Sequence, residues 1–322
     1  MKIALIGGTG RSGTSILTKL FSRHPAMCNV PEWRFLVDPD GLLDFYSSVD
    51  AWTPYVYDRR LKRLDHMLRV LSRRHPLWLI FAALHRWDLL RLSRWNLRAY
   101  YAGINTVRYC PDFKRLSAEL IDKLNQFRYR GYWIGLPWLE KNELRYHYFP
   151  DKAELASMFG EFLRSVMQSV LDQQHAEHYL EKNTWNILWL DKILELLPEA
   201  RMVHIYRDPR DVVASYTKQS WMPSDPAESA VIYRDLLKQW WLVRDRVPEE
   251  SYLEISLEAL VSETEPTLHR ICDFWQVSWS DELLKTDLSR AHSGRWKRDF
   301  NDRQQAAVQE ILAESISALG YE

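Results

Sequence analysis

Apolar residues along the chain fall into two kinds of pattern. Short apolar runs bounded by turn residues occur at 2–6, at 177–181 ("EHYLE"), at 201–206 ("RMVHIY") and at 251–255 ("SYLEI"). Runs of that length and composition predict strands. Between them lie long segments in which apolar residues recur at helical spacing, as at Ile16, Leu17 and Leu20 after the first run. Strands alternating with helices predict an α/β fold in three layers, a mostly parallel central sheet with helices on both faces. No internal repeat, low-complexity tract or Pro/Gly-rich linker divides the chain. One domain is therefore expected over residues 1–322, with a helical insertion at 51–150.

Composition changes this picture only locally. A chain of 322 residues with 46% hydrophobic content can bury a sizeable core. The 43 Lys and Arg balance the 43 Asp and Glu, so the net charge gives no argument for a nucleic-acid partner, and no nucleic-acid-binding motif appears. Residues 51–115 depart from that balance, with 14 Lys and Arg against 4 Asp, interleaved with Trp52, Trp78, Trp87, Trp95, Tyr100 and Tyr101. One reading is a set of packed amphipathic helices with solvated arginines. The other is a cap that grips an anionic, glycosidic or lipid-like acceptor, which leaves peripheral membrane contact open. Three cysteines without C-x-x-C spacing argue against a disulfide framework and a structural zinc site, and favour a reducing compartment. The apolar stretch before Gly7 is shorter than the about 7–15 residues of a signal-peptide core. The run "PLWLIFAAL" at 76–84 is about half of what spans a bilayer. A cytoplasmic protein is expected.

Two stretches carry candidate chemistry. "GGTGRSGTS" at 7–15 follows the apolar run Ile3–Ile6 and precedes a helical pattern, the context a phosphate loop requires. Its glycines allow successive N–H groups to face one point, where the following helix directs its positive end. A Walker-A loop carries lysine where this chain has Thr14. Arg11 offers a permanently charged fork instead, and Ser12, Thr14 and Ser15 add hydroxyls. The plainer reading is an ordinary glycine-rich turn. In the second stretch, "YRDPRDVVASY" at 206–216, Asp208 can cap a helix, Pro209 suits its first position and Asp211 sits three residues after the cap. Arg207 at the strand end and Ser215 two turns into the helix can face one anion. Alternatively, Arg207 merely pairs with a neighbouring acid.

Taken together and in this order, the two stretches resemble the sulfotransferase family that uses 3′-phosphoadenosine-5′-phosphosulfate (PAPS), whose fold is P-loop-like. In that family the first loop holds the 5′-phosphosulfate, and the arginine and serine of the second hold the 3′-phosphate. The resemblance implies cofactor-binding roles for Gly10, Arg11, Ser12, Gly13, Thr14 and Ser15, and for Arg207 and Ser215, in two separate anion pockets at opposite ends of one nucleotide. It also implies no metal, because the donor has no γ-phosphate. "YLEISLEALVSETEPTLHRICDFWQV" from residue 252 continues the likeness, as does "HSGRWKRDF" at 292–300, which puts Arg295, Trp296 and Lys297 near the cofactor. Residues 51–150 match no recognisable part of the family and fall where its members differ in acceptor.

Sulfuryl transfer needs an in-line acceptor, a base for its proton and cations for the charge that develops. The resemblance points to Glu32 in "CNVPEWRF" as the base, placed like the catalytic glutamate of tyrosylprotein and glycan sulfotransferases; a surface pair with Arg34 is the alternative. It points to Lys182 in "YLEKNTW" as the charge-stabilising cation, with Arg11 sharing the task. Cytosolic small-molecule members use a histidine base, for which His147 and His85 are the rivals. The expected activity is transfer of a sulfuryl group from PAPS to a hydroxyl or amine of a carbohydrate, lipid or small-metabolite acceptor. The competing readings are a P-loop kinase-like phosphotransferase with Asp208 as the metal-holding acid, and a catalytically silent nucleotide-binding protein of the same fold.

Overall fold

The computed structural model describes residues 1–72, 106–132, 143–288 and 293–322. In chain order these hold β1 (Ile3–Gly7), α1 (Thr14–Phe21), α2 (Leu42–Ser48), α3 (Pro54–Leu71), α4 (Thr106–Tyr109), α5 (Phe113–Lys123), β2 (Phe127–Arg130), β3 (Glu143–Tyr146) and α6 (Lys152–Gln174). There follow β4 (Tyr179–Lys182), α7 (Asn186–Leu196), β5 (Ala200–Tyr206), α8 (Pro209–Tyr216), α9 (Pro226–Arg244), β6 (Tyr252–Ser256), α10 (Leu257–Ser262), α11 (Thr264–Trp275), α12 (Trp296–Asp299) and α13 (Asp302–Ala318).

Contacts divide the chain into two compact units. The first comprises Met1–Asn29, Glu177–Leu194 and Pro198–Glu322. It is built on a four-stranded, wholly parallel sheet in the order β4-β1-β5-β6, flanked by helices, the expected fold class. All five residues of β1 are buried, as a central parallel strand covered on both faces requires. The four predicted strands form within two residues of their expected positions. Leu17, Leu20 and Phe21 bury the apolar side of α1, and Phe21 meets Trp275 edge-on at 4.7 Å between centroids. Each such side chain stabilises the packing by roughly 1.5–3 kcal/mol.

The strand order locates the site. The chain leaving β1 pairs next with β1 on its β4 side, whereas the chain leaving β5 returns as β6 on the opposite side. Connections that diverge from two adjacent strands open a crevice at the strands' carboxyl ends. Both candidate stretches emerge at that crevice, one after β1 and one after β5.

The second unit is Val30–Ala176 with Glu195–Leu197, and residues 51–150 fall within those bounds. Thr53 caps α3 by accepting from Val56 N, and Pro54 occupies the first turn. Aromatic side chains cluster in its interior, with Phe35 and Phe113 in contact with each other and each with Trp33 and Phe162. Besides helices it holds an antiparallel pair, β2 with β3, that helical reading of the insertion passes over; strands of four largely polar residues carry too little periodicity to be seen. The register sets Arg128 opposite Arg145, and Asp65 answers Arg145 at 2.8 Å. Three arginines of α3 are likewise paired, Arg60 with Asp44 at 2.7 Å, Arg63 with Asp40 at 3.1 Å and Arg69 with Asp65 at 2.6 Å. Trp78, His85, Trp87, Trp95, Tyr100 and Tyr101 lie outside the described residues. Among the described residues no helix is long and apolar enough to cross a membrane.

Candidate active site

The loop after β1 turns tightly by using left-handed backbone at Gly10 (φ 84°), Arg11 (φ 58°) and Gly13 (φ 112°). Gly13 is constrained twice, since a Cβ there would also come within 2.9 Å of Ile205 Cδ1 and 3.0 Å of Leu257 Cδ1. Arg11 adopts the same region with a side chain, an arrangement that needs external support. The support comes from the second stretch: Arg11 Nε donates to Ser215 Oγ at 2.9 Å. One residue further along α8, the buried Tyr216 hydroxyl donates to the Thr9 carbonyl oxygen. Helix α1 has no side-chain cap and no acidic residue in its first turn, so its first N–H groups remain directed at the loop.

These elements enclose a cavity of about 630 Å³. The first loop contributes Arg11, Gly13, Thr14, Ser15 and Ile16; the second stretch contributes Arg207 and Ser215; Arg295, Arg298 and Asp299 come from the segment around α12, and Leu257 completes the lining. β1 and β5 are hydrogen-bonded neighbours, so the loops at their ends emerge side by side and Arg11 reaches Ser215 directly. Four guanidinium groups against one carboxylate make this an anion site.

A framework of buried charges stands behind the lining. Asp208 caps α8 by accepting from Arg210 N at 2.9 Å, and both its oxygens also accept from the Arg210 guanidinium, at 3.0 and 2.9 Å. That guanidinium lies 4.5 Å above the Trp296 ring. Asp211 does not close a capping box; fully buried, it takes Arg207 Nη2 at 3.0 Å and the backbone N–H groups of Gly294 at 2.8 Å and Trp296 at 3.0 Å. Asp299 accepts from Lys218 and from Arg295, both at 2.6 Å. Lys218 foremost, with Arg295, holds its carboxyl below the usual carboxylate range, against the smaller opposing effect of burial.

Among the residues singled out in the sequence, Arg11, Gly13, Thr14, Ser15, Arg207, Ser215 and Arg295 come together around the cavity. Gly10, Ser12, Lys182, Trp296 and Lys297 are not among its described lining residues. Ser12 is fully buried within the loop, Trp296 is buried under Arg210, and Lys297 Nζ sits 5.5 Å over the Trp296 ring. Lys182 ends β4 opposite Ile6 of β1. Glu32 lies in the second unit, where Arg34 Nη2 donates to it at 3.3 Å. His147 is in the same unit, stacked on Phe149 at 4.0 Å; burial lowers its pKa, opposed by Glu154. Arg298 and Asp299 escaped the sequence reading although helical spacing could have found them: they follow Arg295 by three and four residues and so share its face, whereas Lys297 does not.

Solved structures similar to this chain include the sulfotransferase domain from the curacin biosynthetic pathway, at 14% identity over 100% of this chain and 98% of that one, TM-score 0.48. They include the sulfotransferase STF9 from Mycobacterium avium, at 13% identity over 100% and 77%, TM-score 0.47. Retinol dehydratase in complex with androsterone and inactive cofactor PAP is a third, at 12% identity over 97% and 80%, TM-score 0.40. No curated protein matches the chain in sequence. The sequence model of the sulfotransferase family does match it, over residues 4–281, a span that takes in both anion-facing loops and all of the parallel sheet but Ile3, and the chain therefore belongs to that family.

Proposed function

We propose that this sulfotransferase draws on PAPS as its sulfuryl donor and acts on a hydroxyl or amine of a carbohydrate, lipid or small-metabolite acceptor. The observation that carries the donor assignment is the meeting of Arg11, Arg207, Ser215, Arg295 and Arg298 around one cavity at the start of α1. Its volume suits a nucleotide, since small-molecule sites occupy about 300–1,000 Å³, and the donor set is the chemistry of phosphate and sulfate oxygens. When bound, the donor supplies an activated sulfuryl group with a phosphate as leaving group.

The chain's own residues divide the remaining work. Arg11, the N–H groups at the start of α1 and the hydroxyls of Thr14 and Ser15 hold the charge on the phosphosulfate oxygens. Arg207 and Ser215 hold the 3′-phosphate, and Arg295 and Arg298 close on the nucleotide from the α12 segment. Glu32 takes the proton of the acceptor hydroxyl, and Lys182 shares charge stabilisation with Arg11. The basic aromatic insertion within the second unit supplies the acceptor side and any contact with a membrane surface. Three buried free thiols, Cys28, Cys110 and Cys272, suit a reducing cytoplasmic setting.

The phosphotransferase reading meets a specific obstacle. Both carboxylate oxygens of Asp208, its metal-holding acid, already accept from the buried Arg210 guanidinium. Calorimetric titration separates the two readings. Adenosine 3′,5′-bisphosphate is expected to bind in the presence of chelator, and ATP with magnesium to bind far more weakly. Tighter binding of ATP with magnesium would overturn the proposal. An acceptor screen with labelled donor then distinguishes an enzyme from a silent binding protein.

A further inference from the structure

One fully buried carboxylate joins two of the segments that line the cavity without lining it itself. Asp211 sits in the first turn of α8, where the helix dipole favours negative charge. Its Oδ2 accepts from Arg207 Nη2 at 3.0 Å and from Gly294 N at 2.8 Å, and its Oδ1 accepts from Trp296 N at 3.0 Å. Those two backbone groups belong to the segment that carries Arg295 and Arg298 into the cavity. The only charge among the three donors is Arg207.

We propose that Asp211 is a positioning residue that fixes Arg207 relative to the Arg295–Arg298 segment and thereby sets the preference of the site for a nucleotide bearing a 3′-phosphate over one without it. The inference rests on the reading of the cavity as a PAPS site. Three donors converge on one buried carboxylate, so its charge is what holds them together. Asparagine at 211 keeps the shape but removes the charge, and with one acceptor oxygen for three donors it sets its amide NH2 against at least one of them. Arg207 then loses the charge that fixes it, and the late segment loses one of the points that tie it to α8.

The test compares wild-type protein with Asp211→Asn, Arg207→Ala and the double variant by titration with adenosine 3′,5′-bisphosphate and with adenosine 5′-monophosphate. Asp211→Asn is expected to weaken binding of the bisphosphate by about 10- to 100-fold, the scale of a charge-assisted contact, and that of the monophosphate by less than about 3-fold. In the double variant the loss of preference is expected to be no greater than in Arg207→Ala, because the two residues act as one. Gly294→Ala gives a second route that leaves the carboxylate intact. A Cβ there meets nothing within 4 Å, so the substitution acts through backbone strain at φ 76° on the N–H given to Asp211. It is expected to lower the same preference. Equal loss for both nucleotides, unchanged preference in Asp211→Asn and Gly294→Ala, or additive losses in the double variant would overturn the inference, since a merely structural carboxylate does not discriminate between ligands. Failure of the wild type to bind the bisphosphate would instead overturn the donor assignment and this inference with it.

Discussion

Arg11 and Ser215 stand 204 positions apart in the chain, and the guanidinium Nε of one donates to the hydroxyl of the other at 2.9 Å. The bond ties the loop after β1 to the helix after β5 and holds Arg11 in a left-handed backbone conformation at φ 58°. Ser215→Ala removes the acceptor while keeping the backbone. Binding of adenosine 3′,5′-bisphosphate is expected to weaken roughly 3- to 10-fold, about one hydrogen bond. Calorimetry reads the effect, and unchanged affinity would show that neither Arg11 nor the 3′-phosphate depends on this hydroxyl.

Gly13 is expected to tolerate no side chain. Alanine there meets Ile205 Cδ1 and Leu257 Cδ1 and strains a backbone at φ 112°. The strain costs on the order of 1–3 kcal/mol. Gly13→Ala should therefore lower the thermal unfolding midpoint and lose nucleotide affinity together, whereas Ser15→Ala, on the exposed side of the helix start, should leave the midpoint in place.

Glu32→Gln is expected to abolish transfer while leaving nucleotide affinity within about 2-fold, because a base acts on the acceptor proton and not on the donor. Single-turnover measurement with labelled PAPS and an acceptor found by screening checks this. Retained turnover would remove Glu32 from the mechanism and return attention to His147.

Acid should unfold the first unit through Glu254. This carboxyl on β6 pairs across the sheet with His204 of β5, with Nδ1 to Oε1 at 2.9 Å, and also takes Trp240 Nε1 at 2.8 Å and Arg244 Nη1 at 3.3 Å. Burial pushes its pKa up, but His204, Trp240 and Arg244 outweigh burial and bring it from 4.5 down to about 2. A depressed folded-state pKa contributes stability that is complete above the unfolded value and is lost as pH falls from about 5 towards about 2. The contribution is on the order of 3 kcal/mol. Urea midpoints across that range should fall more steeply for the wild type than for Glu254→Gln; parallel curves would contradict the assignment.

The parallel sheet was legible because each of its strands is a short run with apolar residues between turn residues, and burial of the central strand β1 on both faces demands that composition. Both anion-facing loops were legible for a related reason: a tight turn before a helix leaves glycine, a capping acid and proline at set positions. Local chemistry of that kind is written along the chain. Which of those residues share a cavity was not, because it depends on β1 and β5 lying side by side, a pairing between segments about 200 residues apart. The tertiary structure alone set both loops around one cavity, brought Arg298 and Asp299 to the lining in place of Trp296 and Lys297, and turned Asp211 from a helix-start residue into the anchor of a distant segment. Backbone propensity acts over a few residues, whereas a site assembled at strand ends is decided by which strands become neighbours.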